Sequence, residues 1–199
     1  DMGQQLNFGF PAPIRAAEAA SGEIACFDIV PSADAGARIL DCGAWLGRRW
    51  RLDGRLYPLG RLHLSLLGLG RAEAGGLERM RAAAEAVRRP PIEIDLVKAM
   101  QFGGGARVLG CGYGARAALS GLHDALVEAA VEAGLIAERR RDFEPHVTTA
   151  RDLAAMPETM LPAPICWRAE AFVLAVKQRG RPGRVVGRWP LRGEVKPSP

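Results

Sequence analysis

Two short stretches decide the reading of this chain: RLHLSLLGLG at residues 61–70 and FEPHVTTAR at residues 143–151. Each holds a histidine followed two positions later by a hydroxyl residue, His63 with Ser65 and His146 with Thr148, and together they use two of the three histidines in the chain. Both stretches read as strands. Side chains in a strand repeat every second residue, so His63 and Ser65 share a face, as do His146 and Thr148, while Leu64 and Val147 point into the core. The histidines stand 83 positions apart, each on a strand that follows a helix, which predicts two related lobes turned toward one cleft.

Around these strands the pattern alternates between periods of two and of 3.6. EIACFDIV at 23–30 reads as a strand, and Ser32 stands where it caps a helix carrying Ile39, Cys42, Leu46 and Trp50. A second helix carries Leu77, Met80, Ala84 and Val87 and is stopped by Pro90 and Pro91. Ile92, Ile94 and Leu96 alternate with Glu93 and Asp95 as a half-buried strand, and a turn at Gly103–Gly105 leads to its hairpin partner, Val108–Cys111. Leu119, Leu122, Leu126, Ala129 and Ala133 mark the clearest amphipathic helix, closed by Gly134. After the strand around His146–Thr149, a Pro-rich loop leads to one long strand, Trp167–Lys177, and Arg184–Leu191 closes the set. This mixture predicts an α+β fold with largely antiparallel sheets, not a doubly wound parallel one. Residues 1–21 read as a loose arm, 22–192 as one domain and 193–199 as a tail.

A chain of 199 residues with 48% hydrophobic residues affords one sizeable core. Its apolar runs fall far short of the roughly 20 residues that a membrane helix needs. No charged segment followed by an apolar one opens the chain, so no secretory signal is expected. Cys26, Cys42, Cys111 and Cys166 are widely spaced among apolar neighbours and read as buried thiols, so a cytoplasmic protein is expected. A monomer is expected. The net charge of +5 and the pI of about 9.4 suit an anionic partner. The basic runs at 48–51 and Arg139–Arg141 either extend a polynucleotide footprint or are solvated helix ends. Gly103–Gly105 is not followed by a Lys-Ser/Thr pair opening a helix, which excludes a nucleoside triphosphate loop of that kind.

Cleaving a phosphodiester needs one group to take a proton from the attacking oxygen and another to protonate the leaving oxygen, and imidazole does either near neutral pH. A neighbouring hydroxyl can donate to the non-bridging phosphate oxygens, where charge builds in the transition state. No Asp, Glu or Cys stands at ligand spacing beside either histidine, which weighs against a metal site. Spacing alone still leaves three readings open: an acid–base pair, a metal site, or two structural histidines.

The residues around the tripeptides resemble the LigT-like branch of the 2H phosphoesterase superfamily, also described as RNA 2′,3′-cyclic phosphodiesterases or 2′-5′ RNA ligases. Residues 61–70 are similar to the family's His-Leu-Thr-Leu strand ending in glycine, and 143–151 to its more specific Pro-His-x-Thr-Leu-Ala-Arg strand. CFDIVP at 26–31 resembles the opening strand and proline, and FVL at 172–174 and RWPL at 188–191 the closing strands, so the likeness covers about residues 22–192. It implies a bilobal, pseudo-two-fold α+β fold: two mostly antiparallel sheets flank a central cleft, with helices outside. It also implies catalysis by His63 and His146 without metal or cofactor, and opening of a 2′,3′-cyclic phosphate to a 2′-phosphate. Three departures stand out: Ser65 replaces threonine, residues 66–68 lack the usual phenylalanine before the first glycine, and Thr149 replaces an aliphatic residue.

The expected partner is therefore an RNA 3′-end or a nucleotide bearing a 2′,3′-cyclic phosphate. Ser65, Thr148 and Arg151 are expected to hold phosphate. Phe143 and Tyr57 either stack on a base or pack in the core, and His123 reads as structural or exposed. The rivals are a phosphodiesterase for small cyclic or 2′-5′-linked nucleotides, the reverse 2′-5′ ligation, and a non-catalytic module that binds RNA or nucleotides.

Overall fold

Leu64 and Val147, the middle residues of the two tripeptides, are opposite one another in neighbouring antiparallel strands and are both fully buried. They belong to a computed structural model that describes residues 23–71, 74–135, 143–151, 154–178 and 183–193. The expected arm, the tail after residue 193 and the run Arg139–Arg141 lie outside the described residues. In chain order the elements are β1 (Ile24–Ile29), α1 (Ala33–Trp50), β2 (Leu64–Arg71), α2 (Ala74–Ala86), β3 (Ile92–Phe102) and β4 (Ala106–Cys111). There follow α3 (Tyr113–Glu132), β5 (His146–Arg151), β6 (Thr159–Ala169), β7 (Ala171–Lys177) and β8 (Arg184–Pro190).

The strands form one eight-stranded sheet in the order β6-β3-β4-β5-β2-β1-β7-β8, with every neighbouring pair antiparallel. At its centre, β2 and β5 share the single pair Leu64–Val147. The two expected sheets are thus the four-stranded halves β6-β3-β4-β5 and β2-β1-β7-β8, joined at one rung with the pseudo-two-fold between them. Helix α1 packs on β5 and β6, α3 on β2 and β3, and α2 on α3 and β8. One hydrophobic cluster runs through both halves and includes Phe27, Leu64, Leu96, Leu109, Leu122, Val147 and Phe172.

Local chemistry sets the element ends. Ser32 caps α1 by accepting from the Ala35 amide at 3.2 Å. The turn between β3 and β4 needs Gly104 and Gly105 at φ of 72° and 74°, a region that costs little only for glycine. One expectation is corrected here: the Pro-rich loop and the single strand over 167–177 are instead two strands, β6 and β7. Strand β6 runs through Pro162 and Pro164, and its register against β3 jumps from Ile165–Leu96 to Met160–Lys98. The prolines sit in that irregularity on an edge strand, where a missing N–H breaks no rung. Cys166 is a second correction. Ile165 and Trp167 take the inner side of β6, so the thiol is exposed, whereas Cys26 and Cys111 are buried. No described helix is long and apolar enough to cross a membrane.

Truncating Leu64 removes the core contact beneath the joining rung. Leu64→Ala is expected to lower the unfolding free energy by about 2–5 kcal/mol in urea titration, against about 0.5 kcal/mol or less for Met160→Ala on the surface. Equal effects would show that the crossing does not depend on its buried residues.

Candidate active site

The Leu64–Val147 pair places the site. In an antiparallel pair the neighbours on either side also oppose one another, so His63 lies across from Thr148 and Ser65 across from His146. Because Leu64 and Val147 point into the core, all four polar side chains stand on the opposite face, where the two halves diverge.

The two imidazoles are held alike. His63 Nδ1 lies 2.7 Å from the Arg61 carbonyl, and His146 Nδ1 lies 2.7 Å from the Glu144 carbonyl, in each case two residues upstream. A carbonyl only accepts, so each Nδ1 carries the proton and each Nε2 is left for chemistry. Burial pushes both imidazoles below their ordinary value. For His63 the Asp28 carboxylate opposes that push and Lys177 adds to it. For His146 the Glu144 carbonyl and carboxylate oppose it, and a charged His63 adds to it. Each histidine therefore disfavours charge on the other, so one neutral and one charged imidazole is the natural intermediate state.

The hydroxyls differ. Thr148 is half-buried and has no hydrogen-bond partner among the described residues. Ser65 donates to Asp28 Oδ1 at 3.1 Å. Asp28 is Ser65's partner on β1, is 1% exposed, and its other oxygen lies 2.7 Å from Lys177 Nζ. Asp28 and Lys177 escaped the sequence reading. Their signal was an acid in an otherwise apolar strand, Asp28 among CFDIV, and a lysine at the end of another.

Between Phe27–Leu67 and Asp28–Ser65 the register slips by one, so Leu66 is a bulge directly after Ser65. His123, buried on α3, donates from Nδ1 to the Leu66 carbonyl at 2.8 Å. Its ring stacks on Phe143, with centroids 4.3 Å apart and planes 1° apart. His123 is structural: it joins the bulge beside Ser65 to the segment that leads into His146. One face of Phe143 is thereby taken, and Tyr57 carries the Arg61 guanidinium over its ring at 4.2 Å. Phe102, which the sequence reading passed over, meets the His146 ring edge-on at 4.8 Å. Arg151 ends β5, about 16 Å along the strand from His146, and donates to the Gly104 carbonyl at 3.2 Å. The glycine turn thus reaches His146 through Phe102 and Arg151 through Gly104.

Burial pushes the Cys26 thiol up to about 11 and the Cys111 thiol up to about 12, so neither is a nucleophile at neutral pH. Among the described residues no three His, Cys, Asp or Glu side chains gather into a metal-binding group.

A family model described as the 2′-5′ RNA ligase superfamily matches residues 42–181, which include both tripeptides. The chain belongs to the 2′-5′ RNA ligase superfamily. A crystal structure of E. coli LigT complexed with ATP superposes with a TM-score of 0.71 at 24% identity, covering 86% of this chain and 99% of that one. E. coli LigT complexed with 3′-AMP gives 0.70 at 23% identity over the same shares. TT0787 of Thermus thermophilus gives 0.69 at 22% identity, again covering 86% and 99%. A search of curated proteins finds no match. The fold is accordingly that of a LigT-like 2H phosphoesterase, with the paired tripeptides at its centre.

NMR titration tests the electrostatics of this superfamily member. His63 and His146 are expected to titrate below about 6.5. His63→Gln removes a neighbouring positive charge and is expected to raise the His146 midpoint. An unchanged or lower midpoint would show that the imidazoles do not sense each other.

Proposed function

We propose that this protein hydrolyses 2′,3′-cyclic phosphates on RNA ends or nucleotides to 2′-phosphates, with His63 and His146 as an acid–base pair. The observation that carries this reading is the matched anchoring of the two imidazoles on one face, each with Nδ1 committed to a carbonyl and Nε2 left for proton transfer. The water oxygen attacks phosphorus and gives its proton to the neutral imidazole. The bond from phosphorus to O3′ breaks, and the charged imidazole protonates O3′. Thr148, lacking a partner among the described residues, donates to a non-bridging oxygen. Arg151, at the end of β5 and hydrogen-bonded to the glycine turn, adds positive charge where a longer substrate's backbone would run. Neither step calls on a metal.

Two further readings keep a specific footing. LigT has been crystallised with mononucleotides, which favours small nucleotide substrates alongside RNA ends. The superfamily's name points to 2′-5′ ligation, in which a ribose 5′-hydroxyl replaces water as nucleophile on the cyclic phosphate: P–O5′ forms, P–O3′ breaks, and the same two proton transfers run in the same direction.

Incubating a 2′,3′-cyclic nucleotide with the protein in EDTA and following the products by phosphorus NMR tests the reading. The 2′-phosphate is expected as product, and His63→Ala and His146→Ala are each expected to slow turnover by about 10²–10⁴-fold. The kcat/KM profile is expected to be bell-shaped. Both free imidazoles lie low, so the mixed state is most populated on the acid side of neutrality. A bound phosphate anion favours the charged imidazole, so the kcat profile shifts to higher pH. Turnover that survives either substitution, or a single-limbed profile, would contradict the two-histidine scheme.

A further inference from the structure

The two halves of the site are built on one plan but differ in what lies behind their hydroxyls. Behind Ser65 stands Asp28, a carboxylate buried on the histidine face of β1 and held by Lys177 from β7. The Cys26 thiol donates to the same Oδ2 at 3.6 Å. An ionised carboxylate only accepts, so Ser65's single proton is drawn inward and its lone pairs are turned to the cleft. Turning that proton back toward a phosphate oxygen would leave a buried carboxylate oxygen short of a donor. Thr148 carries no such obligation.

Resting on the cyclic phosphodiesterase reading, we propose that Asp28 and Lys177 are positioning residues that make Ser65 a hydrogen-bond acceptor for the attacking water. The hydroxyls then have opposite tasks: Thr148 donates to phosphate, and Ser65 accepts from the nucleophile. A water molecule has two O–H groups. One delivers its proton to the basic imidazole and the other is held on Ser65 Oγ, so the oxygen that attacks phosphorus is fixed at both ends. Phosphorus gains the water oxygen, loses O3′, and O3′ takes a proton from the acidic imidazole. An alcohol has one O–H, which the base consumes, and its carbon then faces Ser65 with nothing to donate. The wild-type site should therefore favour water over a small alcohol by more than their intrinsic reactivities.

Partitioning of a 2′,3′-cyclic nucleotide between water and methanol reads this preference directly. The products are the 2′-phosphate and its methyl ester, and their ratio is independent of how much protein is folded. Ser65→Ala, at an exposed position, is expected to raise the methyl ester to phosphate ratio about three- to tenfold, the loss of one hydrogen bond to the nucleophile. Asp28→Asn presents an amide that can donate to Ser65 and release its proton outward, and is expected to move the ratio in the same direction. The double variant should match Ser65→Ala, because Asp28 acts through Ser65. Ser65→Thr should keep the wild-type ratio.

An unchanged ratio in Ser65→Ala together with a raised KM would make Ser65 a phosphate donor and overturn the proposal. If Asp28→Asn merely fails to fold, the Ser65→Ala ratio still decides. A wild-type protein that turns over no cyclic nucleotide would instead overturn the functional reading beneath it.

Discussion

A single rung holds the centre of this molecule together. Leu64 and Val147 form the one pair between the two halves of the sheet, and both are fully buried. The pairing fixes which side chains meet: with Leu64 against Val147, each histidine faces the hydroxyl of the other tripeptide. A slip of one residue would reverse one strand's alternation against the other and turn one of the two histidines into the core. Register is protected because Leu64 also pairs with Ile29 on β1 and Val147 with Leu109 on β4. The hydrophobic effect thus sets the geometry of the polar site by burying the one backbone rung that joins the two motifs.

On that frame the imidazoles are orientated by their own backbone. Each donates to a carbonyl two residues upstream, so the arrangement is local to the motif and repeats in both halves. What breaks the symmetry comes from neighbouring strands. On the His63 side, Asp28 and Lys177 bring a buried ion pair and engage Ser65. On the His146 side, Glu144 pairs with Arg116 near the start of α3, and Phe102 lies edge-on to the ring. Two copies of one plan therefore give chemically different halves, as an acid–base pair requires when one group must start charged and the other neutral.

Much of this was legible in the residues. The His-x-Ser and His-x-Thr spacings gave the shared face, and the switch between periods of two and 3.6 gave every helix and the antiparallel character. Strand β6 was missed because Pro162 and Pro164 read as a loop, and only the sheet shows that they sit at an irregular edge. Asp28 was missed for a different reason: it stands out as an acid in an apolar strand, but its role comes from the strand pairing that puts it opposite Ser65, 37 residues away. His123 read as either structural or exposed, and the bulge at Leu66 explains which, since that carbonyl needs a donor from outside the ladder. Long-range pairing carries this information, and a single chain's local pattern does not.

The proposed acid–base scheme requires His63 and His146 to act as one catalytic unit across the Leu64–Val147 rung. A double-mutant cycle on cyclic nucleotide turnover tests it most directly. Residues that share one proton-transfer scheme are strongly non-additive. The His63→Ala/His146→Ala double variant is expected to be no slower than the slower single variant. Losses that multiply in the double variant would mean that the two histidines serve independent steps and do not form an acid–base pair.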